Sequence, residues 1–247
     1  MTTCSDFAKM AFSCNRYRLI VVILLSLIMW QLFSMFPGDS AKTSTKLTQS
    51  GIVELEDDKF NIHKQDKVKV RVYYEALCPD SKHFFVRHLW PVTEKLSEFL
   101  EIALIPYGKA TTKEENGQYS FHCQHGETEC YANKIHACSI ETIGNMTTSV
   151  KFTECMISDN SDPDEALTRC AKSMNIDMEP ISTCATGELG SALLKKYGDD
   201  TQIINPYFIP TITLNGSKPK QTLPAILKNF LLEVCKRIAM PLPPPCL

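Results

Sequence analysis

The segment Cys78-Pro79-Asp80-Ser81 carries residue types suited to thiol–disulfide exchange. A helix is predicted to begin at Pro79, because proline fits the first helical turn and Asp80 is favourable near the positive end of a helix. A thiol at a helix start faces unpaired backbone N–H groups, which stabilise the thiolate that attacks disulfides. Ser81 lies one helical turn beyond Cys78, so its hydroxyl can donate a hydrogen bond to that thiolate. We therefore predict that Cys78 is the nucleophile and Ser81 its supporting donor.

The number of cysteines supports a free thiol. The chain contains eleven cysteines, and Cys4 and Cys14 precede a long apolar run, which leaves nine beyond it. An odd number cannot all pair within one chain, which indicates a free thiol or an intermolecular bond. The helix-start position indicates that Cys78 is the free thiol. The alternative is a purely structural, disulfide-rich domain in which Cys78 is itself in a disulfide. The other eight are disulfide candidates with no pairing assigned: Cys123, Cys130, Cys138, Cys155, Cys170, Cys184, Cys235 and Cys246.

A zinc site is the competing interpretation of the stretch 123–138, which has His122, His125 and His136 among or beside its cysteines. The cysteine spacing is not one of the usual zinc-finger spacings, and an oxidising compartment favours disulfides. We therefore expect neither a metal nor a bound cofactor. The reductant would be an external small thiol such as glutathione or free cysteine.

The overall composition is that of an ordinary globular protein, with 44% hydrophobic and 22% charged residues. A chain of 247 residues is long enough for one sizeable domain. The formal net charge of −2 gives no electrostatic reason to expect nucleic acid as a partner.

Residues 19–36 form an uncharged apolar run that is long enough to cross a membrane as a helix. Lys9, Arg16 and Arg18 precede it, which predicts a cytoplasmic N-terminus at 1–18 and a single-pass type II signal-anchor. A cleaved signal peptide is the alternative. Either interpretation places the rest of the chain in the lumen of the secretory or endo-lysosomal pathway, or outside the cell.

The part of the chain beyond the apolar run divides by composition. Residues 37–67 are polar and lack a sustained period, so we predict a stalk there, followed by one domain at 68–238 and a Pro-rich tail at 239–247. Two glycosylation sequons, at Asn145 and Asn215, lie within the predicted domain and agree with a lumenal location.

The reactive segment lies in a predicted βαβ unit. Strands are predicted at 68–74 and 101–107, where valine, isoleucine and tyrosine are frequent. Between them, apolar residues recur at helical spacing over 84–100, and Pro91 is expected to kink that helix. The cysteine therefore stands where the first strand passes into the helix.

The second half of the chain has a different character. Residues 111–200 hold most of the cysteines and many helix formers, which predicts a mainly helical, disulfide-tied insertion. The strand pattern resumes at 208–214, and an amphipathic helix at 223–238 closes the domain. The fold class expected from these elements is α/β.

The stretch 123–138 reads C-Q-H-G-x2-E-C-x2-N-x4-C, which resembles the signature of the gamma-interferon-inducible lysosomal thiol reductases. The resemblance extends from about 68 to 235 and includes the Tyr-Tyr-Glu-Ala-Leu-Cys sequence that ends at Cys78. The signature matches at every fixed position: Cys123, Gln124, His125, Gly126, Glu129, Cys130, Asn133 and Cys138.

The family resemblance implies a thioredoxin-like fold with a helical insertion. It also implies that the protein reduces disulfides of protein substrates in acidic compartments, in the lumen of lysosomes or endosomes or after secretion. In such folds a cis-proline faces the reactive cysteine, and Pro210 matches that position. The residue before it, Ile209, would offer its backbone to a bound substrate as an added strand does.

One departure from the family pattern concerns the active site itself. The family has C-x-x-C, whereas this chain has Ser81 in place of the second cysteine. Without this resolving thiol, a mixed disulfide on Cys78 must be opened by an external thiol or by a thiol of the substrate. The chain is thus expected to be a monothiol reductase or isomerase. The alternative is a binding module that traps or holds disulfide clients without turnover.

Overall fold

The structure is a computed structural model that describes residues 23, 25–27 and 66–247. The chain divides into two compact units, Met1–Lys59 and Phe60–Leu247. In the first unit the four described residues are helical. The rest of the predicted signal-anchor and nearly all of the predicted stalk lie outside the described residues. Within the described part, no helix is long and apolar enough to cross a membrane.

A three-stranded sheet in the order β2-β1-β5 forms the centre of the second unit. The middle strand β1 (Val68–Tyr74) pairs in parallel with β2 (Leu100–Pro106) and antiparallel with β5 (Thr211–Leu214). The valines of β1 and Tyr74 pack into one hydrophobic core, whereas Tyr73 packs into a second core. Both faces of the sheet are therefore covered at the end of β1, where the chain enters the reactive segment.

The helix that connects β1 to β2 changes its winding part-way along. It begins as α1 (Pro79–Phe84), widens into a π-helical turn at Phe85–Leu89, and continues as α2 (Trp90–Leu96). The π turn directly precedes Pro91, whose ring excludes a regular hydrogen bond to the carbonyl one turn earlier. The disturbance expected at this proline therefore takes the form of a π turn.

The insertion begins with a β-hairpin that the sequence analysis did not predict. Strands β3 (Thr111–Glu115) and β4 (Gln118–His122) pair antiparallel around Asn116-Gly117. Both turn residues have positive φ, 55° and 77°, as in the tightest hairpin turns. The strands are largely exposed, so they lack the apolar alternation by which strands are usually found.

The remainder of the insertion is helical, as expected. Two disulfides cross it and hold helices from different parts of the insertion together. The last helix continues past residue 200, the predicted end of the insertion, and reaches Ile204. The five helices are α3 (Glu127–Ile143), α4 (Met146–Ser158), α5 (Pro163–Met174), α6 (Glu179–Thr186) and α7 (Glu188–Ile204).

The single closing helix predicted at 223–238 is wrong, because two helices occupy this part of the chain. They are α8 (Pro219–Lys228) and α9 (Phe230–Cys235). Asn229 separates them with non-helical backbone, and its side chain accepts a hydrogen bond from Leu232 N, which caps α9. A disulfide from Cys235 to Cys246 then ties the Pro-rich tail to α9.

Candidate active site

Cys78 stands at the junction between the central sheet and the connecting helix. Its carbonyl accepts the first helical hydrogen bond, from Lys82 N at 3.0 Å, and its own N–H donates to Glu75 O at 3.4 Å. The side chain is buried, with 7% of the residue exposed. Cys78 is the free cysteine of the described region. The short turn after β1 thus presents a free thiol at the start of a helix.

The residues that the resemblance pairs with Cys78 lie directly opposite it. The Ile209–Pro210 peptide bond is cis, as the resemblance implied. The Cys78 thiol donates to the carbonyl oxygen of Ile209 at 3.8 Å. Pairing of Tyr73 with Thr211 brings the Cys78 turn close to Pro210, because Tyr73 lies near the end of β1 and Thr211 directly follows Pro210. The substrate-binding roles of Ile209 and Pro210 stay predictions.

The Ser81 side chain is fully buried and faces the turn that precedes Cys78. Its hydroxyl oxygen accepts a hydrogen bond from Glu75 N at 3.4 Å. This contact leaves the hydroxyl proton free for another acceptor, since a serine hydroxyl both donates and accepts. The predicted donation to a Cys78 thiolate stays a prediction.

The eight remaining cysteines of the described region form four disulfides. Each pair has a Cα–Cα distance between 5.5 and 5.9 Å, in the usual range for a disulfide. Because all of these sulfurs are paired, the odd cysteine left over is Cys78. The pairs are Cys123–Cys130, Cys138–Cys184, Cys155–Cys170 and Cys235–Cys246.

Two buried asparagines hold the turn that carries Cys78, and the sequence analysis gave neither of them this role. The Asn133 side chain accepts a hydrogen bond from Ala76 N at 2.9 Å. The Asn160 side chain donates to Ala76 O at 3.1 Å. The backbone N–H and C=O of Ala76 are thus both hydrogen-bonded to side chains of the insertion. Asn133 is one of the fixed positions of the signature, and its hydrogen bond to Ala76 gives that position a structural role.

The signature loop closed by the Cys123–Cys130 disulfide lies against the same turn. Within it, His125 Nδ1 lies 2.6 Å from Glu129 Oε2 and 3.5 Å from Glu75 Oε2. Burial is the main cause that raises the pKa of Glu75, and the neighbouring Glu129 carboxylate adds to it. Glu75, His125 and Glu129 belong to motifs that are visible in the sequence, but nothing in their spacing predicts that they meet.

The other two histidines considered as zinc ligands, His122 and His136, are not part of this cluster. His122 is exposed at the end of β4, and His136 is fully buried in α3. Burial lowers the pKa of His136 to about 3. Its Nδ1 lies 3.2 Å from the hydroxyl of Tyr74. His136 is therefore a neutral core residue.

Both sequon asparagines are exposed but have structural roles. The Asn145 side chain accepts a hydrogen bond from Thr148 N at 3.0 Å and caps α4. The Asn215 side chain accepts one from Lys69 N at 2.8 Å, beside the end of β5. Each contact uses the amide oxygen, so the nitrogen that would carry a glycan stays available. Glycosylation at either site stays a prediction.

Comparison with known proteins decides the family. Residues 69–174 match the sequence model described as Gamma interferon inducible lysosomal thiol reductase (GILT). A GILT-like protein of Anopheles gambiae is 35% identical over 197 residues, covering 74% of this chain and 81% of its own length. The chain belongs to the GILT family. A GILT of Mus musculus is 32% identical over 152 residues, with 60% of each chain covered.

Family membership supports a thiol–disulfide oxidoreductase role and a thioredoxin-like fold. The βαβ unit, the antiparallel β5 and the cis-proline facing Cys78 agree with that fold. Among solved structures, oxidised BdbD from Bacillus subtilis is similar at 17% identity and a TM-score of 0.45, covering 66% of this chain and 88% of its own. DsbA of Pseudomonas aeruginosa is similar at 14% identity and a TM-score of 0.43, covering 70% and 86%.

Proposed function

We propose that this GILT-family chain reduces or isomerises protein disulfides through a single thiol, Cys78, in the lumen of the endo-lysosomal or secretory pathway. The observation that carries the proposal is the free Cys78 sulfur at the helix start, 3.8 Å from the carbonyl that precedes cis-Pro210. The relatives described as lysosomal thiol reductases support the location and the substrate class.

The first step is attack of the Cys78 thiolate on a substrate disulfide. A new S–S bond forms between Cys78 and one substrate sulfur, and the other substrate sulfur leaves as a thiolate that takes up a proton. Once Cys78 is in a mixed disulfide, its thiol no longer donates to Ile209 O. That carbonyl is then available to accept a hydrogen bond from the substrate backbone, as in strand addition.

The second step needs a thiol from outside the active site. Ser81 has no thiol to offer, and the other described cysteines are in disulfides. The thiolate of a small thiol such as glutathione attacks the Cys78 sulfur of the mixed disulfide, which releases the second substrate sulfur as a thiol and leaves Cys78 bonded to glutathione. A second glutathione thiolate attacks the glutathione sulfur of that bond, which frees the Cys78 thiol and forms glutathione disulfide. The sum is one protein disulfide reduced to two thiols and two small thiols oxidised to one disulfide. If a substrate thiol attacks instead, the result is isomerisation.

A second candidate is a binding module that captures disulfide clients without releasing them. It is favoured by the replacement at position 81 and by burial of the Ser81 hydroxyl, which is engaged with the chain rather than facing solvent. In this case the mixed disulfide would be the end product.

Reduction of a fluorescent protein disulfide over a series of glutathione concentrations, at pH 5 and pH 7, separates these functions. We expect turnover that rises steeply with glutathione for the wild type and is abolished in Cys78→Ser. Capture of the client without turnover at any glutathione concentration would support the binding module. Equal activity in wild type and Cys78→Ser would refute both.

A further inference from the structure

Three side chains with metal-binding atoms converge beside the turn that carries Cys78. Glu75 follows β1, whereas His125 and Glu129 belong to the signature loop. One candidate ligand atom from each lies within 4.8 Å of the other two. His125 Nδ1 is 2.6 Å from Glu129 Oε2 and 3.5 Å from Glu75 Oε2. The 2.6 Å contact is a hydrogen bond, so an ion bound by all three groups would replace the shared proton and move these two atoms apart.

The backbone orients both carboxylates in this cluster. Lys109 N donates to Glu75 Oε1 at 2.7 Å, and His125 N donates to Glu129 Oε1 at 3.0 Å. One oxygen of each carboxylate is thus held, and the other faces the imidazole. Gly108, with a φ of 62°, leaves room for the Glu75 side chain, because a Cβ at that position would overlap it. Support of this kind for ligand side chains is typical of metal sites.

Two buried carboxylates lie around one imidazole nitrogen. Glu75 and Glu129 are both buried, at 1% and 0% exposure, and Glu75 Oε2 accepts no hydrogen bond among the described residues. A buried carboxylate is costly unless its charge is compensated. Both carboxylates contact the imidazole through the same atom, His125 Nδ1. The side chain of His125 is 33% exposed, so a small cation can reach the cluster from solvent.

We propose that Glu75, His125 and Glu129 bind a divalent cation, for which Zn²⁺ is the best match. One imidazole nitrogen and two carboxylate oxygens are ligands that Zn²⁺ accepts, and a water would complete four-coordination. The positive charge of the cation would compensate both carboxylates. It would also tie the signature loop to the segment three residues before Cys78.

This site differs from the zinc site set aside in the sequence analysis, and it goes beyond the proposed function. The cysteines of that stretch take no part, since they are in disulfides. The earlier expectation of no metal was argued from cysteine spacing. The new ligand set includes Glu75, which lies 50 residues before His125 and 54 before Glu129, so spacing within the signature could not reveal it.

The test is calorimetric titration of Zn²⁺ into the full chain at pH 7, in a background without free thiols. Cys4→Ser, Cys14→Ser and Cys78→Ser together provide that background, because thiolates bind zinc themselves. We expect saturable binding of one Zn²⁺ per chain and a higher Tm in its presence. Absence of saturable binding in this background would overturn the proposal.

Single substitutions then locate the ion. His125→Ala is the primary variant, and its Tm without Zn²⁺ is measured first, because removal of the imidazole leaves the buried Glu129 carboxylate without its 2.6 Å partner. The variant should weaken Zn²⁺ binding roughly tenfold or more and remove the Tm increase, and Glu75→Gln should do the same. The exposed Glu114→Gln on β3 is the matched control and should bind as the parent does. Binding that survives His125→Ala unchanged would place the ion elsewhere and contradict the assignment.

Discussion

The sulfur of Cys78 lies 3.8 Å from the carbonyl oxygen of Ile209, although 131 residues separate them along the chain. Pairing of β1 with β5 creates this proximity, because one strand leads into the cysteine turn and the other follows cis-Pro210. The thiol is buried and donates to the carbonyl that the proposed mechanism assigns to the substrate backbone. We therefore expect substrate docking and release of the thiol from Ile209 to occur together.

Replacement of Ser81 by cysteine should supply the missing resolving thiol. Ser81→Cys is expected to raise reductase turnover and to reduce its dependence on glutathione, because a neighbouring thiol resolves the mixed disulfide intramolecularly. Steady-state rates across a glutathione series measure this. Ser81→Ala is the control, since it removes the hydroxyl without adding a thiol, and it should keep the steep dependence. A Ser81→Cys enzyme as dependent on glutathione as the wild type would contradict the assignment.

The asparagine contacts to Ala76 should hold Cys78 in its protected position. Asn133→Leu keeps the branching of the side chain but leaves the Ala76 N–H without its acceptor, so the free energy of unfolding should fall by about 1–3 kcal/mol. Alkylation of Cys78 in the native state should become faster. Urea unfolding and mass-detected labelling give the two quantities.

The labelling experiment needs a control variant that is destabilised at a position away from Cys78. Asn229→Ala removes the cap of α9 and should cost about 1 kcal/mol. It does not touch the Cys78 turn, so labelling should stay close to the wild-type rate. Equal acceleration in both variants would mean that global opening, rather than the asparagine contact, controls access to Cys78.

Burial of His136 should make the protein less stable as the pH falls. Its folded pKa of about 3 lies below the unfolded value, so the unfolded chain binds a proton first. The contribution of His136 to the free energy of unfolding is largest above about pH 6.5, and it decreases as the pH falls toward the folded pKa. The loss at pH 5 is about 2 kcal/mol for a pKa difference of this size.

Substitution by glutamine isolates this contribution. His136→Gln should show a smaller decrease in unfolding free energy between pH 7.5 and pH 5 than the wild type, by about 2 kcal/mol. Urea unfolding at both pH values measures the difference. An identical decrease in the two proteins would show that His136 is protonated in the native state or is not the group responsible.

Gly108 should be far less tolerant of a side chain than Gly117, although both have positive φ. Alanine at Gly117 meets open space, so only the left-handed backbone counts, at about 1–2 kcal/mol. Alanine at Gly108 also overlaps Glu75, which should bring the total loss to roughly 2–5 kcal/mol. Urea unfolding of both variants tests this. Equal losses would mean that the Glu75 side chain can move away at little cost.

Local patterns in the sequence were sufficient for the elements that surround Cys78. The valine-rich strand and the proline at the helix start are visible within a few residues, and the odd number of cysteines needs only a count along the chain. The hairpin around Asn116-Gly117 was missed because its strands are exposed, although the turn dipeptide itself was a usable signal. The break at Asn229 was missed because apolar periodicity continues through it.

The contacts that support the site could not be found in the same way. Glu75, Asn133 and Asn160 come from separate segments, and only the folded chain brings them to one turn. Pairing of the eight cysteines is also a property of the fold, since spacing alone leaves many arrangements open. The family resemblance supplied the cis-proline, which the sequence by itself does not distinguish from the common trans form.

The central claim, one reactive thiol without a resolving partner, is tested most directly by a single-turnover reaction without small thiol. The chain is mixed with an equimolar protein disulfide, quenched with acid and analysed by intact mass and peptide mapping. We predict a mixed disulfide that accumulates on Cys78, persists, and disappears when glutathione is added. Release of fully reduced substrate before any glutathione is present, or an adduct on another cysteine, would contradict the account.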